Sequence, residues 1–330
     1  MQFCDDIVLA IAEFLDLKHK FRWLAVCKRH YALRGKLRIH DRVYPQNVRK
    51  EYEYMYTNII GCVDLKQLEK FVNAKSVIYF GSSRSAKYMD GFPPKLESLT
   101  LEYFTDHEIV LPDGLKHFAM GYKFNQNVTL PASLKYLRCG EEFNKPLTLP
   151  RGLESIILGY AYSHSVVLPS GIKLASFSGI YNHPLIIPDD IEHLKLSSHY
   201  NYPIDLHHCA KLKTLILGHC FNNSIVLPEG LPHIEFGGDF DRPIILPESL
   251  KSVEFGYSFN QKVILPHGIT SAKFGATFNQ PLDLPASLEF LRLNGIYNHP
   301  LNCSKLSPNT YILVGAQYTH PLGGVKHLTI

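Results

Sequence analysis

The sequence predicts a mainly β chain: a parallel β-solenoid of twelve coils of about 19 residues, preceded by a small α-helical bundle. Three observations predict it. Proline recurs at a spacing of 19 residues, at Pro93, Pro112, Pro131, Pro150, Pro169 and Pro188, and again at Pro228, Pro247, Pro266 and Pro285. An aromatic followed by a small polar residue keeps the same period, from Phe124-Asn125 and Phe143-Asn144 to Tyr297-Asn298 and Tyr318-Thr319. After each proline comes a Leu-x-x-Leu-x-Leu pattern, as in Leu288, Leu291 and Leu293. The gap of 40 residues between Pro188 and Pro228 holds one unit without the proline and with two extra residues. The last unit, around Ser304 to Leu322, carries a similar insertion, and in the first unit Phe104 stands one place early.

Counting from the proline as position 1, the apolar residues at 7 and 9 alternate with 6 and 8, the pattern of a strand with one face in the core. Glycine at position 10 (Gly121, Gly140, Gly159, Gly218, Gly237, Gly256, Gly275) suits a strand that leaves into a tight bend. The aromatic at 13 and the aliphatics at 17 and 19 are expected inside the coil. Proline at 1, and often at 16, ends each extended piece where a missing N–H costs little. Nineteen residues cannot bury an apolar face alone, so coils must stack, with strands ~4.8 Å apart.

The asparagine column is read as a structural ladder: Asn125, Asn144, Asn182, Asn201, Asn222, Asn260, Asn279 and Asn298. Bend N–H and C=O groups have no strand partner, and an Asn turned inward offers an acceptor and two donors to its own coil and to the next. Ser163, Asp241 and Thr319 do part of the same work. A residue type present in nearly every coil points to architecture rather than catalysis.

The wording Phe-Asn-x-Pro-Leu-x-Leu-Pro-x-x-Leu resembles the FNIP repeat, a relative of the leucine-rich repeat that is numerous in social amoebae and in the large DNA viruses that infect amoebae. The resemblance covers residues 93–330.

Residues 1–40 lack the period. Asp5 or Asp6 suits a helix N-cap, and Ile7, Ile11, Phe14 and Leu15 fall at helical spacing, followed by a turn and a second apolar stretch through Val26. A bundle this short needs a partner or a neighbouring domain. The segment resembles the F-box at Asp5, Ile7, Ile11, Leu15, Asp16, Val26, Cys27, Lys28 and Arg29, with Phe3-Cys4 where the family has Leu-Pro. The resemblance implies that Phe3, Cys4, Ile7, Ile11, Leu15 and Val26 bind the S-phase-kinase-associated adaptor of a cullin–RING ubiquitin ligase. The repeats would then hold a target protein. Residues 41–92 are expected as a helical linker (44–61) and a degenerate solenoid cap (64–81).

Positions 6 and 8 point outward on the strands. Tyr136/Arg138, His193/Lys195 and Phe290/Arg292 are the expected target-binding residues, because aromatics beside arginine suit an interface. Without a phosphate-binding glycine loop, a Gly-x-Ser-x-Gly or a His-Glu-x-x-His motif, no enzyme activity and no cofactor are expected. His164, His183, His299 and His320 share position 15, but two histidines per neighbouring pair fall short of a usual ligand set, so no metal is expected. Eleven Lys/Arg between residues 17 and 50 face only Asp41, yet stacking aromatics are not interleaved. Nucleic acid is therefore a poor expectation and an acidic protein partner a better one. Seven cysteines with no Cys-x-x-Cys pair, and no secretory or membrane-spanning run at the N-terminus, suit a cytoplasmic or nuclear protein without disulfides.

Overall fold

A computed structural model describes residues 39–43, 56–62, 71–79, 88–89, 91–102 and 105–329. The chain divides into two compact units, residues 1–134 and 135–330. The expected helical domain at 1–40 lies almost wholly outside the described residues.

The first unit contains β1 (Ile39–Val43), β2 (Tyr56–Cys62), β3 (Ser76–Tyr79), β4 (Tyr88–Met89), β5 (Ser98–Leu101), β6 (Glu108–Ile109) and β7 (His117–Ala119). Its sheet runs β1-β2-β3-β5-β7 with every described pair parallel, while β4 pairs with β6. The expectation of a helical linker is corrected here: Tyr56–Cys62 is a strand. The cap reading changes too, because Ser76–Tyr79 is bonded on both sides and is not terminal. The physical reason is register. Ile59 pairs with Val77, Val77 with Leu99 and Leu99 with Phe118, so all four enter one buried column. The first two intervals, from Ile59 to Val77 and from Val77 to Leu99, are irregular, and a search for a 19-residue period passes over them.

The second unit contains β8 (Tyr136–Arg138), β9 (Ser155–Leu158), β10 (Leu174–Phe177), β11 (His193–Lys195), β12 (Ile204–Asp205), β13 (Thr214–Ile216) and β14 (Ile225–Val226). It continues with β15 (His233–Glu235), β16 (Ser252–Glu254), β17 (Ser271–Phe274), β18 (Phe290–Leu293), β19 (Tyr311–Val314) and β20 (Lys326–Thr329). All but β12 and β14 form one parallel sheet in chain order; β12 and β14 pair separately. The twelve predicted repeats each place a strand, β5 and β7 in the first unit and β8 to β19 (less β12 and β14) in the second. The polar, exposed strand β20 pairs with β19 beyond the last repeat, and a polar end strand of this kind discourages further edge pairing.

Each coil is built the same way. The proline carbonyl accepts the N–H of the residue three places on, as from Leu115 to Pro112 and from Leu288 to Pro285, both at 3.1 Å. Position 7 is buried throughout, and its neighbours at 6 and 8 are half-buried or exposed. The position-13 rings from Phe124 to Tyr297 are fully buried, Tyr318 in the last repeat is half-buried, and the rings stack coil on coil: Phe259 on Phe278 at 6.0 Å and Phe278 on Tyr297 at 5.9 Å between ring centres. Between residues 236 and 278 a second aromatic column at position 9 packs against the first, with Phe255 3.9 Å from Phe259. In the degenerate first repeat, buried Thr105 takes the ring's place.

The glycine column has a different cause from the one expected. A Cβ on Gly237 would stand 1.7 Å from the carbonyl oxygen of Gly218, and one on Gly256 would stand 2.0 Å from that of Gly237. None of these glycines has positive φ; Gly179 and Gly295 do, each one place later in coils that carry Ser178 or Asn294 instead. Close approach of successive backbones selects the glycine.

Among the described residues no helix is long and apolar enough to cross a membrane. Cys139, Cys209, Cys220 and Cys303 are free thiols.

Candidate interaction face and its supporting ladders

The asparagine ladder is present, with its direction revised. Each side-chain Oδ1 accepts the backbone N–H of the equivalent residue one coil on: Asn182 from Asn201 at 3.2 Å, Asn201 from Asn222 at 3.0 Å, Asn260 from Asn279 at 2.9 Å and Asn279 from Asn298 at 3.1 Å. Asn144 accepts from Ser163, Asn222 from Asp241 and Asn298 from Thr319 in the same way. In the first unit Asn125 donates its N–H to Asp106, so Asp106 is the ladder residue of the degenerate first repeat. The side chains are not inward: Asn182, Asn201 and Asn298 are exposed and the other five half-buried. The buried ring at 13 fills the interior, which leaves position 14 on the outer edge of the bend, aimed along the stack.

Position 15 braces the same edge. Gln261 Nε2 donates to Asp241 Oδ1 at 3.0 Å. The histidines weighed as metal ligands instead set Nε2 on carbonyls of the preceding coil: His164 on Asn144 at 3.3 Å, His183 on Ser163 at 2.6 Å, His299 on Asn279 and His320 on Asn298, both at 3.0 Å. A third ladder, of charge, runs along position 5. Glu154 lies between Lys173 at 2.9 Å and Lys135 at 3.2 Å, and these contacts, Lys173 first, hold its carboxyl below the usual carboxylate range.

These ladders hold β8 to β19 in register, so that positions 6 and 8 of ten repeats share one face of the second unit. Tyr136, Arg138, His193, Lys195 and Arg292 are exposed on it and Phe290 is half-buried. Their neighbours in the ladder are Ser155 for Tyr136, Thr214 for His193 and Tyr311 for Phe290. They share the face without clustering: at ~4.8 Å per strand, β8 and β11 stand roughly 14 Å apart and β11 and β18 roughly 24 Å. Phe290 stacks on Tyr311 at 6.4 Å, and Arg292 Nε donates to Asn294 Oδ1 at 3.0 Å. Between the chosen pairs lies a shallow depression of about 210 Å³, lined by His233, Glu235, Ser252, Glu254, Ser271 and Lys273 among others. Lys273 and Glu254 pair across it at 2.7 Å. Its outward positions were readable from the repeat register, but not that their small and long side chains leave a hollow.

A second exposed strip was not anticipated. Position 18 alternates with 17 and 19, which are buried or half-buried, and Val167, Ile186, Ile245 and Ile264 there are 87–90% exposed. β12 and β14 are the paired segments of this strip. Ile245 and Ile264 also line a groove of about 630 Å³ with Val263, Pro266 and Pro281. The six residues expected to bind an adaptor, Phe3, Cys4, Ile7, Ile11, Leu15 and Val26, lie outside the described residues.

Stacked short coils, one parallel ladder and an exposed strand face define a leucine-rich-repeat-like solenoid, a class built for contact with other macromolecules. The family profile described as FNIP Repeat matches residues 124–161, 221–258 and 259–295, so the chain carries FNIP repeats. Among solved structures it resembles "The crystal structure of CroV588 a novel circular LRR protein structure", with a TM-score of 0.69 and 26% identity over 81% of this chain. The similarity spans 44% of that protein's own chain. No curated protein matches the sequence.

Proposed function

We propose that this protein is a non-catalytic substrate receptor: the repeat face captures a target protein and residues 1–40 dock onto the adaptor of a cullin–RING ubiquitin ligase. The observation that carries the binding half is the exposed strand face, with Tyr136/Arg138 near one end and Phe290/Arg292 beside Tyr311 near the other. Rigid aromatics next to arginine give large contact area at low entropic cost, the composition of interface anchors. The ligase half rests on the F-box resemblance around Ile7, Ile11, Leu15 and Val26. Such a receptor works in the cytoplasm or nucleus, without cofactor, and other subunits carry out ubiquitin transfer.

Affinity capture with full-length protein tests both halves. Leu15→Asp should lose the adaptor and keep the target. Tyr136→Ala with Arg138→Ala, or Phe290→Ala with Arg292→Ala, should lose the target and keep the adaptor. Equal adaptor recovery with and without residues 1–40 would leave the second reading, a repeat scaffold for protein contact with no ligase role. The exposed apolar strip supplies the competing location for target capture, since contiguous exposed aliphatics mark interaction sites. If Ile245→Lys with Ile264→Lys removes the target while both face variants retain it, the strip is the binding surface.

A further inference from the structure

The internal repeat that lacks the proline breaks the period at one place. Ile204 and Asp205 of β12 pair with Ile225 and Val226 of β14, so both coils are in register up to there. Leu206 then follows in the position-19 column, and Cys209 takes the proline's place, its carbonyl accepting the N–H of Leu212 at 3.0 Å. The two extra residues are therefore His207 and His208. An insertion into a well-stacked coil has to be accommodated at its edge, and this one is spent on two imidazoles beside two carboxylates.

His207 Nδ1 lies 2.7 Å from Asp205 Oδ1. One ligand atom from each of Asp205, His207 and His208 falls within 4.8 Å of the others. From the start of the same coil, one turn back along the chain, Asp189 Oδ1 reaches to 3.8 Å from His208 Nε2. Asp205 and His207 are exposed and the His208 side chain is 35% exposed, so an ion has open access. Cys209 is not part of the set: its thiol points to the Pro188 carbonyl at 3.8 Å. Elsewhere in this chain the position-15 histidines each rest on a backbone carbonyl, and among the described residues no other group of three such side chains converges.

We propose that Asp205, His207 and His208, with Asp189 as the fourth ligand, form a binding site for a divalent transition-metal ion, Zn²⁺ in particular. Two imidazoles and two carboxylates suit zinc, whereas magnesium and calcium prefer sites of oxygen alone. With Zn–N and Zn–O bonds near 2.1 Å, tetrahedral ligand atoms stand about 3.4 Å apart. Closing to that spacing takes side-chain rotation: His208 leaves the Ile187 carbonyl it contacts at 2.8 Å, the ion replaces the Asp205–His207 hydrogen bond, and Asp189 swings in from 3.8 Å off His208 Nε2. Counted from Pro188, Asp189 opens the coil that Asp205, His207 and His208 close, so the ion would tie the end of that turn to its start at the interruption in the proline column. The site stands apart from the proposed target-binding face and does not depend on that reading.

Calorimetric titration of chelator-stripped full-length protein with ZnCl₂ tests it, alongside cobalt absorption spectra for ligand geometry. Wild type should bind one tight equivalent and melt at a higher temperature with zinc. His207→Ala with His208→Ala should weaken that equivalent by roughly 100-fold or more, and Asp189→Asn by about 10-fold. Deletion of residues 207 and 208 restores a 19-residue spacing; it should fold, melt cooperatively without metal and show no zinc stabilisation. His299→Ala should bind as wild type. Unchanged zinc binding in both the double alanine variant and the deletion would overturn the assignment, as would the lack of a tight equivalent in wild type.

Discussion

Replacing Asn260 by leucine tests how the coils are held in register. Asn260 Oδ1 accepts the backbone N–H of Asn279 at 2.9 Å and the Gln280 side chain at 3.3 Å. Gln280 can turn to water once its partner is gone, so its loss costs little. The Asn279 amide is fixed in a half-buried bend with the leucine side chain over it. A buried donor left unsatisfied costs ~1–3 kcal/mol, against ~0.5–1.5 kcal/mol for a net bond that water can replace. Asn260→Leu is therefore expected near ~1–3 kcal/mol and Asn201→Leu, at an exposed position, near ~0.5–1.5 kcal/mol. With an m-value near 2 kcal/mol/M, the Asn260 variant lowers the urea midpoint by roughly 0.5–1.5 M. Asn260→Asp keeps the acceptor, as Asp106 and Asp241 do at the equivalent position, and should stay near wild type. Because repeat arrays open locally, amide exchange at Asn279 is measured beside the midpoint and should accelerate in the leucine variant alone. An unchanged midpoint and exchange rate in Asn260→Leu, or an equal cost for Asn260→Asp, would refute the ladder.

Gly237→Ala forces a methyl against the Gly218 carbonyl of the previous coil, and overpacking of this kind should destabilise by ~1–3 kcal/mol in thermal or urea unfolding, whereas Gly171→Ala, with open space around it, should not. The Tyr200 hydroxyl is buried with no partner in hydrogen-bond geometry, and Phe occupies the same column in other coils; Tyr200→Phe should be neutral or stabilising by up to ~1–3 kcal/mol. Burial pushes the Tyr200 phenol up to about 12 from its ordinary 10.0, so the neutral form is favoured in the fold. Its contribution is full below the ordinary value and is lost as pH rises towards 12, a loss that alkaline unfolding curves of Tyr200→Phe should lack. Glu154 has the opposite sign: Lys173 and Lys135 depress its pKa, so what it contributes is present at neutral pH and lost as pH falls below the carboxylate range. Glu154→Gln should flatten that acid-side loss, and high salt should shrink it.

The period, the strand register, the inward columns at 7, 9 and 13 and the outward ones at 6 and 8 were legible in the residues, because a stacked coil repeats its environment and so its side-chain requirements. Single columns were also legible as types. Their reasons were not. Glycine at position 10 reads as a bend residue, yet the contact that selects it is with a backbone 19 residues away. Asparagine at 14 reads as inward, and only the stacked rings beside it place it on the edge. β1, β2 and β3 carry no 19-residue period, and their strand character comes from pairing: Ile59 is buried because Val77 and Leu99 continue its column. The same holds for the proposed metal site. Sequence shows two extra residues and an unusual His-His step, but Asp189 and Asp205 meet those rings only because the coil returns at that height. Local sequence determines what each position of a coil must be; which residues of neighbouring coils face one another is decided by the return path of the chain.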